Sequence, residues 1–380
     1  MSVPILQFGT SRFLQAHVDL FVSQAMEKGQ ALGGIAVVQT TRSAESAARV
    51  EALAKGTGYP VRVRGMQGGS PVERLLHADA VREAVNADAQ WPRVRALACE
   101  AQVIVSNTGD SGYRLSPEDE RSLLDFIDRV PRSFPAKLLV LLHARWALRP
   151  QAPFSLYPCE LVSRNGDTLR DIVVQLATDW ALPQEFVGYL RSRCVWANSL
   201  VDRIVSEALQ PVGAVAEPYA LWAIERQPGL VLPCEHEAVL VTDDLQRHER
   251  LKLMLLNLAH TFLAECWLNG HRPADETVLH AMSDPQLRAE LEALWADEVL
   301  PVFDALGQRA EALDYLSTLR DRLLNPFLAH RIADIAQNHE QKKQRRFAPA
   351  VALAAELKLP LAQPRLRAAL ALPLHEPRTS

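Results

Sequence analysis

Three apolar runs in the first third of the chain constrain its fold more than any other feature. VPILQFG (3–9), GGIAVVQTT (33–41) and VIVSNTG (103–109) are short, free of charge and end in glycine or small polar residues. Strands buried on both faces read this way, and they belong to parallel sheets covered by helices. The first run passes into SRFLQAHVDLFVSQAMEKG, where Phe13, Ala16, Leu20, Phe21 and Ala25 recur at helical spacing. Strand, tight turn and helix in that order predict an α/β Rossmann-like domain, whose ligands lie beyond the carboxyl ends of the strands. The candidate nucleotide contacts are therefore the turn residues Phe8, Gly9, Thr10, Ser11, Arg12 and Phe13, together with Asn107, Thr108 and Gly109. Of a GxGxxG pattern only Gly9 is present, with Ser11 and Ala16 as nearby small residues, so the motif alone equally suits a glycine that merely turns the chain. The second run ends in Gln39, Thr40, Thr41 and Arg42 where an Asp or Glu would hold an adenosine ribose. Gln39 then takes the ribose position, and Arg42 suits a 2′-phosphate or the open surface equally.

Farther along, AKLLVLLHARWAL is long enough to predict a helix although its pattern also fits a buried strand. FSLYPCELVSRNGDTLRDIVVQLATDWAL predicts a strand to Leu161, a turn at Asn165 and Gly166, and a helix capped by Asp167. VWANSLVDRIV is an apolar stretch broken by Asn198, Ser199, Asp202 and Arg203. Polar groups there need a reason: either Asp202 and Arg203 close a turn, or Asn198 faces a cleft as a hydrogen-bond donor. From Gln246 onward the pattern is helical almost throughout. The expected architecture is a Rossmann-like domain over 1–205 and a mainly α-helical substrate domain over 206–380.

Composition narrows the class. The chain has 380 residues, 48% of them hydrophobic and 23% charged, enough for more than one core. A net charge of −4 offers no basic field for nucleic acid. No apolar run approaches a membrane span and the first strand starts at Val3, so neither a membrane segment nor a signal peptide is expected, and the cytoplasm is the default location. Five scattered cysteines without CxxC pairs point to reduced thiols and to no zinc cluster.

The chemistry is concentrated in HERLKLMLLNLAHTFLAE. At about 100° per residue, Asn257 lies roughly 140° from Lys252 and His260 roughly 80° from it, so one sector of an apolar helix holds an amine, an amide and an imidazole. Glu249 falls in the same sector. An ordinary amphipathic helix with a polar edge fits these residues too.

LQFGTSRFLQAH, SNTGDSGY, PCELVSRNGDTLRDIV, NSLVDRIV, TDD at 242–244 and HERLKLMLLNLAH occur in this order. In this the chain resembles the polyol-specific long-chain dehydrogenases, the mannitol dehydrogenase family, and within it the tagaturonate reductases (altronate oxidoreductases). The resemblance implies an NAD-dependent, metal-independent oxidoreductase, with NADP open, that interconverts a secondary alcohol and a ketone on a sugar acid or polyol. Altronate and tagaturonate lead, followed by mannonate and fructuronate or by mannitol and fructose. It makes Lys252 the general acid/base, a role that partial burial of an amine favours. Asn198 and Asn257 would donate to the alkoxide-like oxygen, His260 would orient a substrate hydroxyl and polarise the same oxygen, and Glu249 would relay protons or tune the base. Arg322, Lys342 and Arg346 match basic positions of the tagaturonate reductases and would meet a substrate carboxylate; His330 is a further candidate, equally readable as a core histidine. Leu258 replaces the glycine that usually follows the signature asparagine, Asp110 stands where the family has Glu, and the chain is shorter than its typical relatives. A monomer is expected. Two other classes fit less well: a nucleotide-binding sensor that keeps the fold without turnover, and a Schiff-base enzyme using Lys252.

Overall fold

The sequence folds around a six-stranded sheet whose order follows from chain connectivity and the burial of both its faces. The computed structural model describes residues 3–41, 43–109, 112–270 and 272–372. Thirteen strands occur among them: β1 Ile5–Phe8, β2 Ile35–Gln39, β3 Tyr59–Gln67, β4 Ser70–Ala78, β5 Val81–Asn86, β6 Val103–Ser106 and β7 Phe154–Pro158, then β8 Cys194–Trp196, β9 Ser199–Asp202, β10 Val205–Ala208, β11 Ala214–Ala216, β12 Leu221–Glu225 and β13 Val239–Thr242. The main sheet runs β5-β2-β1-β6-β7-β8 and all its pairs are parallel. Numbered within that sheet, the order is 3-2-1-4-5-6, that of a doubly wound nucleotide-binding sheet with its switch point between β1 and β6.

Alternation along each strand divides the core in two. Leu6, Phe8, Ala36, Val38, Ile104 and Leu156 pack with the helices Ala87–Glu100 and Phe134–Leu148 on one face. Ile5, Ile35, Val37, Val103, Val105 and Tyr157 pack on the other, largely against Val18–Glu27. Both faces being dry, the strands read as unbroken apolar runs, which is why they were visible in the sequence. The ambiguous AKLLVLLHARWAL is helical, within Phe134–Leu148. Instead of one helix after β1 there are two, Arg12–Gln15 and Val18–Glu27, broken at Ala16 and His17. The helix after β7 starts at Asn165, ahead of Asp167, and follows Arg164 in the left-handed region at φ 46°.

Two compact units emerge from the contacts: Met1–Val63 with Arg74–Leu245, and Arg64–Glu73 with Gln246–Ser380. The division therefore falls at 245/246 instead of after 205, because the small sheets β13-β12-β9 and β10-β11-β3-β4 draw β9 to β13 into the first unit. In the second unit helices surround a single core that includes Leu255, Leu258, Leu263, Trp295, Phe303 and Phe347. Contrary to expectation, one helix among the described residues, Leu245–Asn269, is long and apolar enough to cross a membrane by length and composition. Within the most apolar window of this helix, 61% is buried inside the protein, and Leu255, Leu258 and Leu263 are wholly enclosed in that core. All five cysteines are free thiols.

Asp19, on the helix behind β1, is 1% exposed and accepts a 2.6 Å hydrogen bond from the Tyr59 hydroxyl. Burial pushes its carboxyl up from 3.8 to about 7, with the bond from Tyr59 opposing the rise. The folded chain thus holds a proton that the unfolded chain releases, so this group's contribution to stability falls as pH rises from about 4 to about 7 and is level above. Denaturant titrations across that range should show the decline in the wild type and a flatter profile for Asp19→Asn; identical profiles would remove Asp19 as its source.

Candidate active site

The first unit places its candidate nucleotide residues around the switch point. Phe8 ends β1 and is buried; Gly9 follows at φ +116°, a conformation L side chains rarely adopt. A Cβ on Gly9 would stand 2.6 Å from the carbonyl oxygen of Asn107, so only glycine lets the ends of β1 and β6 approach this closely. Ser11 caps the short helix by accepting from Leu14 N–H, and its hydroxyl lies 3.1 Å from Asn107 Oδ1, to which it donates. Asn107 in turn donates to the Cys159 carbonyl at 2.9 Å, tying the end of β6 to that of β7. Thr10 is nearly buried, and its carbonyl accepts from Gln15 and Arg49. Arg12 is exposed, Phe13 stacks on His17 with ring centres 4.7 Å apart, Thr108 is half-buried and Gly109 is exposed. A cavity of about 320 Å³ opens beside the ends of β2 and β6, with Thr40, Thr108, Arg114, Ser116 and Arg132 in its wall. Polar and cationic walls at that end of a parallel sheet fit a phosphate-bearing nucleotide.

Two expectations for this unit change. Gln39 is 2% exposed, and its amide already donates to the Thr41 carbonyl at 2.7 Å and accepts from Asn86 at 3.2 Å. Asn198 is not a donor open to a cleft. It is fully buried, and its Nδ2 donates to Glu225 at 2.7 Å and to Asp167 at 3.2 Å while Oδ1 accepts from Asp167 N–H at 3.1 Å. Burial raises the Asp167 carboxyl, but the bonds from Arg164 and Asn198 outweigh it and hold the group below its ordinary value. Arg203 of the same segment donates to the Glu217 and Ala16 carbonyls, and burial lowers its guanidinium to about 10. Arg42 and Asp110 lie outside the described residues.

The second unit carries the proton-transfer candidates on a helix that is not uniformly α. Leu245–Leu251 and Leu258–Asn269 are α-helical, and Lys252–Asn257 between them is a π turn. Hydrogen bonds of a π turn join residues five apart, so Asn257 comes to lie about one turn beyond Lys252 instead of the roughly 140° around the axis that α geometry implies. Turns of this kind concentrate at functional sites. Glu249, Lys252, Asn257 and His260 are all half-buried.

Several carboxy-terminal candidates gather at the same helix. The His330 ring meets the His260 ring edge to face with centres 4.9 Å apart. Arg346 Nη1 donates to Thr261 Oγ1 at 3.0 Å and to the Asn257 carbonyl at 3.4 Å. Lys342, one turn before Arg346, donates to the Ile335 carbonyl at 2.7 Å. Burial lowers the basic groups of His330, Lys342 and Arg346; Lys342 further depresses His330, and Arg346 further depresses Lys342. Asp334 opposes the shift only at His330, and neither Lys342 nor Arg346 forms an ion pair among the described residues. Arg322 is 6% exposed on the helix Arg309–Leu323 and donates to the Tyr315 hydroxyl at 3.4 Å.

Sequence reasoning missed two residues of the first unit. Glu160, in PCEL, is buried and receives four hydrogen bonds at the end of β6, as detailed below; its signal was an acid directly beyond a buried strand. Arg49 reaches the Thr10 carbonyl from the helix after β2, and nothing in the sequence around it marks that contact.

A Rossmann unit followed by a helical unit with a lysine, an amide and an imidazole on one helix defines a dehydrogenase or reductase of alcohol groups. The chain belongs to the mannitol dehydrogenase family: residues 3–230 match the Mannitol dehydrogenase Rossmann domain and 244–375 the Mannitol dehydrogenase C-terminal domain. It is 30% identical to the altronate oxidoreductase of Halalkalibacterium halodurans over 91% of this chain and 69% of that protein. It is also 30% identical to the altronate oxidoreductase of Klebsiella pneumoniae, over 97% of this chain and 78% of that one. In fold it is similar to a D-sorbitol dehydrogenase (TM-score 0.79, 19% identity, 99% of this chain and 83% of that one). Similar too is the Pseudomonas fluorescens mannitol 2-dehydrogenase in its ternary complex with NAD and D-mannitol (TM-score 0.72, 19% identity, 98% and 79%).

Substituting Gly9 tests the close approach at the switch point. Gly9→Ala should lower stability in urea denaturation by about 1–3 kcal/mol, the usual range for a strained backbone position; an unchanged midpoint would show that the two strand ends can part without loss.

Proposed function

We propose that the chain is a nicotinamide-dependent, metal-independent reductase of keto-sugar acids, interconverting tagaturonate and altronate, with fructuronate and mannonate or fructose and mannitol as weaker pairs. The observation that carries this reading is the cation group of Lys342 and Arg346. Both are partly buried, both have depressed basicity, and neither has an acidic partner among the described residues. Burying like charges together costs free energy unless an anion offsets them. A polyol has no such anion, whereas a sugar acid brings a carboxylate that Arg346 can grip with the guanidinium nitrogens not turned toward Thr261. The names of the altronate oxidoreductases that the chain resembles support the same substrate class.

The nicotinamide supplies the hydride. The first unit holds the nucleotide through the turn from Phe8 to Phe13 and through Asn107 to Gly109. In reduction Lys252 gives its proton to the ketone oxygen as that oxygen gains negative charge, and in oxidation it takes the proton back. Asn257, one π turn away, donates a hydrogen bond to the same oxygen and stabilises its alkoxide character. His260 orients a substrate hydroxyl, with His330 packed against its ring. Glu249 passes protons between Lys252 and solvent. Asn198 acts at a distance, bridging Asp167 and Glu225 and so fixing the first turn of the helix that follows β7.

Initial rates with tagaturonate, fructuronate and fructose, each with NADH and NADPH, test the proposal. Lys252→Met should abolish turnover while NADH still binds; an undiminished rate would remove Lys252 as the acid, and failure of every substrate in the wild type would leave a nucleotide-binding protein without turnover. Arg346→Met and Lys342→Met should each raise KM for the sugar acids by about 10- to 100-fold, the value of a charge-assisted hydrogen bond, and leave fructose nearly unaffected.

A further inference from the structure

We propose that Glu160 is a positioning residue for nucleotide binding: its buried carboxylate fixes the chain beyond β6 in the shape that receives the nicotinamide nucleotide. This rests on the cofactor reading given above. Glu160 is 4% exposed and stands two residues past the end of β7. Four donors converge on it: Thr108 N–H at 2.9 Å and Thr108 Oγ1 at 2.8 Å on one oxygen, Ser106 Oγ at 3.1 Å and the Tyr113 hydroxyl at 3.3 Å on the other. All four belong to the last residue of β6 or to the segment that leaves it, and none is cationic.

A neutral shell of this kind is an unusual way to keep a buried carboxylate. Such a group is tolerated only when its oxygens are well supplied with donors, so the arrangement depends on Ser106, Thr108 and Tyr113 keeping their places, and they in turn depend on Glu160. The Asn165 carbonyl lies 3.1 Å from the same Tyr113 hydroxyl, whose one proton is shared between it and Glu160. Asn165 Nδ2 donates back to the Glu160, Pro158 and Ser199 carbonyls. One carboxylate thereby joins the ends of β6 and β7 to the helix at Asn165, while Asn107, beside Thr108, is held by Ser11 and the Cys159 carbonyl. What Glu160 fixes is the peptide at Thr108, whose N–H would otherwise be free to turn.

The test is NADH titration followed by protein fluorescence, without sugar acid, on the wild type and on Glu160→Ala, Glu160→Gln and Glu160→Asp, with thermal melting of each. Glu160→Ala should raise the NADH Kd about tenfold or more per folded molecule, since several hydrogen bonds at Thr108 are lost together. Glu160→Gln keeps the reach and the acceptor for Thr108, and should stay within about threefold of the wild type. A lower melting temperature with unchanged Kd in Glu160→Ala would overturn the proposal, because a purely structural role moves stability alone. Should Glu160→Ala fail to fold, Glu160→Asp decides. Its shorter side chain should weaken NADH binding while Gln restores it, and wild-type affinity in the Asp variant would overturn the proposal. Turnover does not enter these measurements, so a wrong substrate assignment leaves their outcome intact.

Discussion

The approach of the β1 turn to the end of β6 is the constraint from which the first unit's site is built. With the Asn107 carbonyl occupying the space where residue 9 would carry a Cβ, glycine is required, and Ser11 is brought within hydrogen-bonding distance of the Asn107 side chain. Asn107 then reaches Cys159, and Thr108 reaches Glu160, so three parallel strands end in one hydrogen-bonded rim. The backbone groups that a strand exposes at its end have to be satisfied somewhere. Here they are satisfied by one another, which leaves a rigid edge with a polar, cationic cavity beside it.

A comparable constraint shapes the second unit. One π turn in an otherwise α-helical segment moves Asn257 toward the line of Lys252, and the carbonyl of Asn257 accepts from both Thr261 Oγ1 and Arg346. The same guanidinium that answers this backbone group belongs to the pair of cations, Lys342 and Arg346, without acidic partners among the described residues. The side chain of Arg346 thus touches the helix that carries Lys252, Asn257 and His260.

What was legible in the sequence was whatever burial dictates locally. Strands dry on both faces appear as unbroken apolar runs, and the long apolar segment 134–148 declared itself a helix by its length. Residue types needed for proton transfer stood out because they interrupt an apolar helix. Illegible was everything set by distant partners. Asn198 looked like a donor awaiting a ligand because Asp167 and Glu225, which use up its amide, lie 31 and 27 residues away in sequence. The bond that Gln39 accepts from Asn86, 47 residues away, was equally hidden. The π turn leaves no compositional trace, since KLMLLN suits an α-helix equally well. The division at 245/246 was hidden because β9 to β13 are only three to five residues long.

The most direct test of this account is the ratio of kcat/KM for a keto-sugar acid to that for its methyl ester, measured on the wild-type chain with saturating NADH. Lys342 and Arg346 should favour the free acid by on the order of a hundredfold, because the ester offers them no charge to neutralise. Equal values for acid and ester would contradict the account, since the unneutralised cations would then have no part in choosing the substrate.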